Sequence, residues 1–331
     1  MSVTSKQPWS DGFTWDWSHF ALGLVFALPA VIVAPFNEMA GLALAVGVLP
    51  AAAFNLPAMR RARRVIPVIG VISALSLLVG SMLTQVPVLA VVAVFAFAVS
   101  ASLWSRTHRV GALALMVALP LTAIGLSIAS VTTAIGLAGL MVLGSLYAWA
   151  VSLLWPNRRV DPPPPRPTPP PRAMLVYGIL LGLAGAIAAG VGYALQLEHV
   201  GWAPAAALLV MRPARNQLVL RSIGRAASVL VGALAAAALA AIAPAALVVG
   251  VVVGVALGAL TATTASRWYV APGFTTFVAL TLIIHAETGV SPGDRFIERT
   301  LETLLGVGLA LLFGAVVPAG IAWMRKGRTP A

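Results

Sequence analysis

The chain has 331 residues, of which 60% are hydrophobic and 9% charged, with a mean hydropathy of +0.98 and a net charge of +12. A water-soluble domain carries about 25% charged residues, so this composition excludes a soluble globular protein and calls for a bilayer as part of the solvent. Cysteine is absent, which excludes disulfides and thiolate metal sites.

The first eighteen residues are polar and hold Trp9, Trp15 and Trp17. No basic region there leads into a small-residue cleavage site, so no cleavable signal peptide is expected. Apolar runs long enough to cross a hydrocarbon core as helix then recur along the chain. They predict spans over 18–36, 40–56, 65–83, 86–104, 110–128, 131–155, 174–196, 200–212, 226–243, 245–264, 269–286 and 301–323. The short alternating segments of a membrane barrel do not occur. The expected fold is therefore an all-α polytopic membrane protein of about twelve transmembrane helices.

Charge alternates between the loops. One side receives Arg60, Arg61, Arg63, Arg64, Arg106, Arg109, Arg158, Arg159, Arg166 and Arg172. It also receives Arg212, Arg215, Arg221, Arg225, Arg267, Arg325, Lys326, Arg328 and Lys6. The other side keeps only Arg295 and Arg299, with Glu38, Glu198, Glu287, Asp294 and Glu298. The positive-inside rule makes the first side cytoplasmic. Both termini are then cytoplasmic in a bacterial-type inner membrane. The net positive charge follows from this topology, and no nucleic-acid partner is expected. Tryptophans near span ends (Trp17, Trp104, Trp155, Trp202, Trp268, Trp323) fit anchors at the lipid interface.

At the midpoint, Asp161 to Arg172 reads DPPPPRPTPPPR, a polyproline strut. It divides the chain into a membrane half over 1–157, a cytoplasmic linker over 158–173 and a second membrane half over 174–331. A proline tract of this kind also serves as a peptide ligand, so a spacer and a partner site both remain open.

The second half contains a repeat. Arg221-Ser-Ile-Gly-Arg225 precedes Gly232 by the same spacing with which Arg295-Phe-Ile-Glu-Arg299 precedes Gly306, at an offset of 74. Three spans separate the copies, so they enter the membrane from opposite faces. This is the pattern of inverted three-helix repeats. Arg63 and Gly70 repeat the spacing of Arg225 and Gly232 in the first half, but no arginine opens the sixth span near Ser130. Flanking arginines that obey the positive-inside rule account for Arg221 and Arg225. They do not account for Arg295 and Arg299, on the side where arginine is otherwise missing.

These residues resemble the fusaric acid resistance and aromatic acid exporter superfamily, to which the plant aluminium-activated malate transporters look related. The family pattern is Arg, two residues, Gly-Thr, two residues, Gly at the start of a span. Arg225 and Gly232 match its ends, with Ser228 and Val229 in place of Gly-Thr. Arg299, Thr303 and Gly306 match at the second site, where Glu302 replaces the inner glycine. The segment from Trp202 to Met211 also looks like that family's second span. The resemblance covers residues 174–320 well and the first half loosely. It implies efflux of small organic anions, often aromatic carboxylates, across the inner membrane.

The chemistry of the residues agrees. An anion in a low-dielectric layer needs a compensating charge, arginine stays protonated, and its planar fork matches a carboxylate in two-point contact. Arginine inside a membrane is costly unless it pairs or faces water. The expected lining is Arg299, Arg225 and Arg212 with Thr303, and Trp202, Trp268 and Tyr269 supply aromatic walls. Glu302, one turn beyond Arg299 on the same face, is a candidate for proton coupling or a salt-bridge partner. His285 beside Glu287 is a second proton-coupling candidate. The eighth span is short, with Pro204 inside it and Arg212-Pro213 at its end, and the second is interrupted by Pro50 and Pro57. Broken segments at matching positions of two halves point to a transport site; a tilted helix with a snorkelling Arg212 is the other reading.

No metal-binding histidine pair, aspartate cluster, nucleophile elbow or Walker A loop is present. No enzyme activity, cofactor or metal is expected. A passive anion channel and a non-transporting scaffold are the rival functions. Gly250, Gly254 and Gly258 form a small-residue stripe that serves either a homo-oligomer seam or internal packing.

Overall fold

The computed structural model describes residues 12–54, 56–157, 169–211, 218–266, 269–286 and 291–320. No strand occurs among them. Lipid offers no hydrogen bonds, so the backbone must satisfy itself within each helix. In the first half these are α1 (Trp17–Val33), α2 (Glu38–Ala52), α3 (Val65–Leu83) and α4 (Pro87–Trp104). The next rod joins α5 (Arg109–Leu113) to α6 (Leu119–Gly125) through a π-helical turn, and α7 (Val131–Leu154) follows. The second half has α8 (Pro171–Ala194), α9 (Trp202–Val210), α10 (Leu218–Ile242), α11 (Ala246–Ala262), α12 (Ala271–Ala286) and α13 (Pro292–Leu311).

Helix starts are written in the sequence. Asp16 accepts from the Ser18 and His19 amides at 2.8 and 3.0 Å, Asn37 from Ala40 at 3.0 Å, and Ser130 from Thr133 at 3.2 Å. Such caps satisfy amides that have no intrahelical acceptor. Proline opens α4, α8 and α13, where its missing N–H costs nothing.

Among the described residues, six helices are long and apolar enough to cross a membrane, and five shorter apolar ones accompany them. The outward surface is apolar as well: Leu75, Val79 and Met82 on α3, Val88 and Val92 on α4, and Val231 and Leu234 on α10 are all exposed. A soluble protein does not present such contiguous apolar area.

The largest differences from the expected spans lie at α10 and α13. They begin at Leu218 and Pro292 rather than at 226 and 301, so both arginine pairs sit inside helices rather than before them. A hydropathy reading stops at the first charge, but a helix carries charges through its amphipathic first turns when one face meets protein.

Packing joins the halves through antiparallel pairs. Along α1 and α11, Gly250 meets Ala34, Gly254 meets Val31 and Ala27, and Gly258 meets Phe20 and Leu24. The glycine stripe therefore packs against the chain's own α1, which is the internal-packing reading of that stripe. Along α4 and α8, Gly178 meets Val99 and Ser102, and Gly182 meets Phe95. Within the halves, α2 packs on α7 as α9 packs on α13, and α3 packs on α6 as α10 packs on α12.

Polar ties gather at the two ends. At one end Trp155 Nε1 donates to Ser18 Oγ at 2.9 Å, Ser102 Oγ donates to the Met174 carbonyl at 2.7 Å, and Arg63 binds the carbonyls that close α7. At the other, the Tyr193 hydroxyl donates to Thr84 Oγ1 at 2.9 Å and Gln85 Nε2 to the Ala129 carbonyl at 2.8 Å.

Candidate functional site

The short α9 is the centre of the site. Nine residues rise about 14 Å, against a hydrocarbon core of about 30 Å. Of Trp202 to Val210, every residue except Leu209 is buried. A short helix with irregular backbone at both ends is tolerated at membrane depth when protein surrounds it.

The first turns of α13 lie along α9. The arginine spacing explains how: Arg299, Thr303 and Gly306 fall on one face at intervals of four and three. Gly306 passes so close that a Cβ there would stand 2.2 Å from the Ala203 carbonyl oxygen and 2.8 Å from Ala206 Cβ. Thr303 is buried, and its hydroxyl donates to the Arg299 carbonyl at 2.7 Å. The guanidinium of Arg299 lies over the Trp202 ring, 4.4 Å from its centroid. Its Nη1 is buried and has no hydrogen-bond partner among the described residues. The carboxylates of Glu302 and Glu298 act on its charge, and Glu302 is only 3% exposed.

A contact that sequence reasoning missed completes the shelf. His199 is buried and stacks on Trp202, with centroids 4.1 Å apart and planes 15° from parallel. Its Nδ1 is 3.0 Å from Glu298 Oε1. Residues 199 and 298 lie far apart in sequence, and no spacing rule connects them. The only local signal was a histidine two residues before Gly201-Trp202, with a glutamate beside an arginine elsewhere.

Trp202 is 6% exposed, with its ring engaged by His199 and Arg299. In this conformation it holds the arginine rather than offering a ring face to a substrate. Arg225 lies near the start of α10, which begins after the far end of α9. It therefore approaches α13 from the end opposite Arg299. Gly232 seats α10 on α12, with a Cβ position 2.2 Å from the Gly273 carbonyl oxygen. By that register Gly273 corresponds to Ala203, and Pro272 rather than Tyr269 corresponds to Trp202. Tyr269 is half-buried just before α12. His285 Nδ1 donates to the Thr281 carbonyl at 2.7 Å and Nε2 lies 3.3 Å from Glu38 Oε1, tying α12 to α2. Arg212 and Trp268 lie outside the described residues.

Glu198, His199 and Glu298 bring three ligand-type atoms within 4.8 Å of one another. Sequence reading expected no metal, and the histidine of this group is already bonded to Glu298.

Gly306→Val is expected to push α13 off α9. The substitution forces backbone apart and costs about 1–3 kcal/mol or more, visible as a lower unfolding temperature in detergent. Gly308 has no neighbour within 4 Å of its Cβ position, so Gly308→Ala is expected to hold or raise stability by up to about 1 kcal/mol.

A family model described as fusaric acid resistance protein-like matches residues 186–313. The match runs from within α8 into the turn after α13 and contains α9, Arg225 and Arg299. No curated protein and no solved structure matches the chain.

Proposed function

We propose that this chain, whose residues 186–313 match a family model described as fusaric acid resistance protein-like, exports small organic anions such as aromatic carboxylates, with Arg299 as the fixed positive charge of the path. The family is one of membrane transport and resistance, and the apolar helices make the protein a multi-pass membrane protein. The observation that carries the anion reading is the state of Arg299. It stands in a membrane helix, seated on Trp202, with a buried Nη1 that has no hydrogen-bond partner among the described residues. A buried donor left so is costly, and a bound carboxylate removes that cost while matching the guanidinium fork.

The inverted repeat supports the same reading. Equivalent helices pack on equivalent partners, and both arginine pairs lie inside helices. Arg225 and Arg299 thus approach the middle of the second half from opposite ends, as alternating access around one site requires. Glu302, buried one turn from Arg299, is the group to couple a proton to that site, with His285 as a second candidate.

The test is uptake of a weak-acid panel, including salicylate, hydroxybenzoates and malate, into proteoliposomes under an imposed pH gradient. Protein-dependent accumulation supports coupled transport. Downhill flux without accumulation points instead to a channel, and no flux of any panel member removes the anion reading.

Orientation has its own test, helped by the absence of native cysteine. Cysteines at the exposed positions Gln85 and Ala129 are expected to react with an impermeant maleimide from outside the cell. Those at the exposed positions Arg61 and Thr107 should react only after the membrane is opened. Labelling of Arg61→Cys and Gln85→Cys from the same side would overturn the span count.

A further inference from the structure

His199 is the most confined histidine near the arginine. It is 6% exposed, 3.0 Å from Glu298 Oε1, and stacked on the indole that carries Arg299. The groups around it are few. Its own loop supplies Glu198, within the same 4.8 Å cluster. From α13 come Glu298 and Arg299, with Asp294 exposed at the helix start. On α8, Tyr193 is committed to Thr84, and beyond α6 the Ser127 hydroxyl accepts from the Gly201 amide at 2.9 Å. The nearer end of α10, residues 233–242, contains no titratable residue.

We propose that His199 is the proton-binding group that sets how tightly Arg299 holds its anion, an inference that rests on the anion reading above. Neutral His199 donates through Nδ1 to Glu298. Protonated His199 keeps that bond and adds a positive charge on the Trp202 stack. The scaffold stays in place while the local charge changes. The added charge attracts an anion at Arg299, and by linkage the anion favours the proton in turn. Two charges about 12 Å apart at an effective dielectric of about 20 shift affinity by roughly tenfold. Anion affinity is therefore higher when His199 carries its proton than when it does not.

The test is calorimetric binding of benzoate, which stays ionised throughout, to the full chain in nanodiscs at pH 5.5 and 7.5. Wild type is expected to bind about tenfold more tightly at the lower pH. His199→Gln, which keeps an amide donor toward Glu298, should bind with the same affinity at both. His108→Gln, exposed at the other end of the molecule beside Trp104, should keep the wild-type slope. A slope retained in His199→Gln overturns the inference and leaves the anion reading standing. Absence of benzoate binding in wild type sinks the anion reading instead. A second measurement then decides the proton site: tryptophan fluorescence should be quenched as pH falls through the histidine range. That quenching component should vanish in both His199→Gln and Trp202→Phe. Its persistence in either variant overturns the inference.

Discussion

Arg63→Met is expected to lower stability by about 3–5 kcal/mol, the largest loss of any single substitution considered. Arg63 is 1% exposed although fully charged. Its Nε donates to the Pro57 carbonyl at 3.1 Å, Nη1 to Trp155 O at 2.9 Å and also to Ser152 O, and Nη2 to Pro156 O at 2.8 Å. Ser152, Trp155 and Pro156 stand at the end of α7, where carbonyls lack intrahelical donors and the helix dipole is negative. One guanidinium thus closes α7, fastens it to the turn that opens α3, and holds the chain at Pro57. Methionine fills similar space but leaves the part-buried carbonyls of Pro57, Trp155 and Pro156 without this donor. Lysine restores the charge but not the planar fork, so Arg63→Lys is expected to recover only part of the loss. Thermal unfolding in detergent measures both. An Arg63→Met protein of wild-type stability that fails in transport would return this residue to the anion path.

That role was hidden by its own sequence logic. Arg63 and Gly70 repeat the spacing of Arg225 and Gly232, and spacing alone makes them counterparts. The structure gives the two glycines different neighbours: Gly70 meets Ser145 of α7, and Gly232 meets Gly273 of α12. A spacing rule reports helical register but not the helix across the gap. Where both ends of a span are marked by charge or turn residues, the register was sufficient. Thus α3 matches its expected range, and α4 and α7 differ by one residue. Where the charges belong to the helix itself, as in α10 and α13, hydropathy placed the start two turns late.

The site divides in the same way. Arg299, Glu302, Thr303 and Gly306 share a helix, so their common face follows from periodicity. Arg299 and Trp202 were expected in one lining, as cation and aromatic wall for a substrate, but not in contact with each other. His199 was legible from nothing, because its partner Glu298 comes from another helix and a stacked imidazole leaves no periodic trace. The burial of Trp202 also needed three dimensions: an aromatic at a span end reads as an interfacial anchor until its neighbours are known.

Arg299→Gln is expected to reduce transport of the preferred anion by about 10- to 100-fold, the range of one lost charge-assisted contact. Two effects combine there. The anion loses its compensating charge in a low-dielectric layer, and Trp202 loses the cation–π contact, worth about 0.5–2 kcal/mol. Trp202→Phe separates them, since a phenyl ring keeps a weaker cation–π face while Arg299 keeps its charge. It is expected to lower uptake less than Arg299→Gln. Arg299→Lys retains a point charge without the fork and is expected to fall between wild type and Arg299→Gln.

The most direct measurement is therefore the initial rate of salicylate uptake into proteoliposomes holding equal amounts of folded wild type, Arg299→Lys and Arg299→Gln. The account predicts rates that fall in that order, with Arg299→Gln at or near the protein-free background. An Arg299→Gln protein that folds, inserts and transports salicylate at the wild-type rate would contradict it.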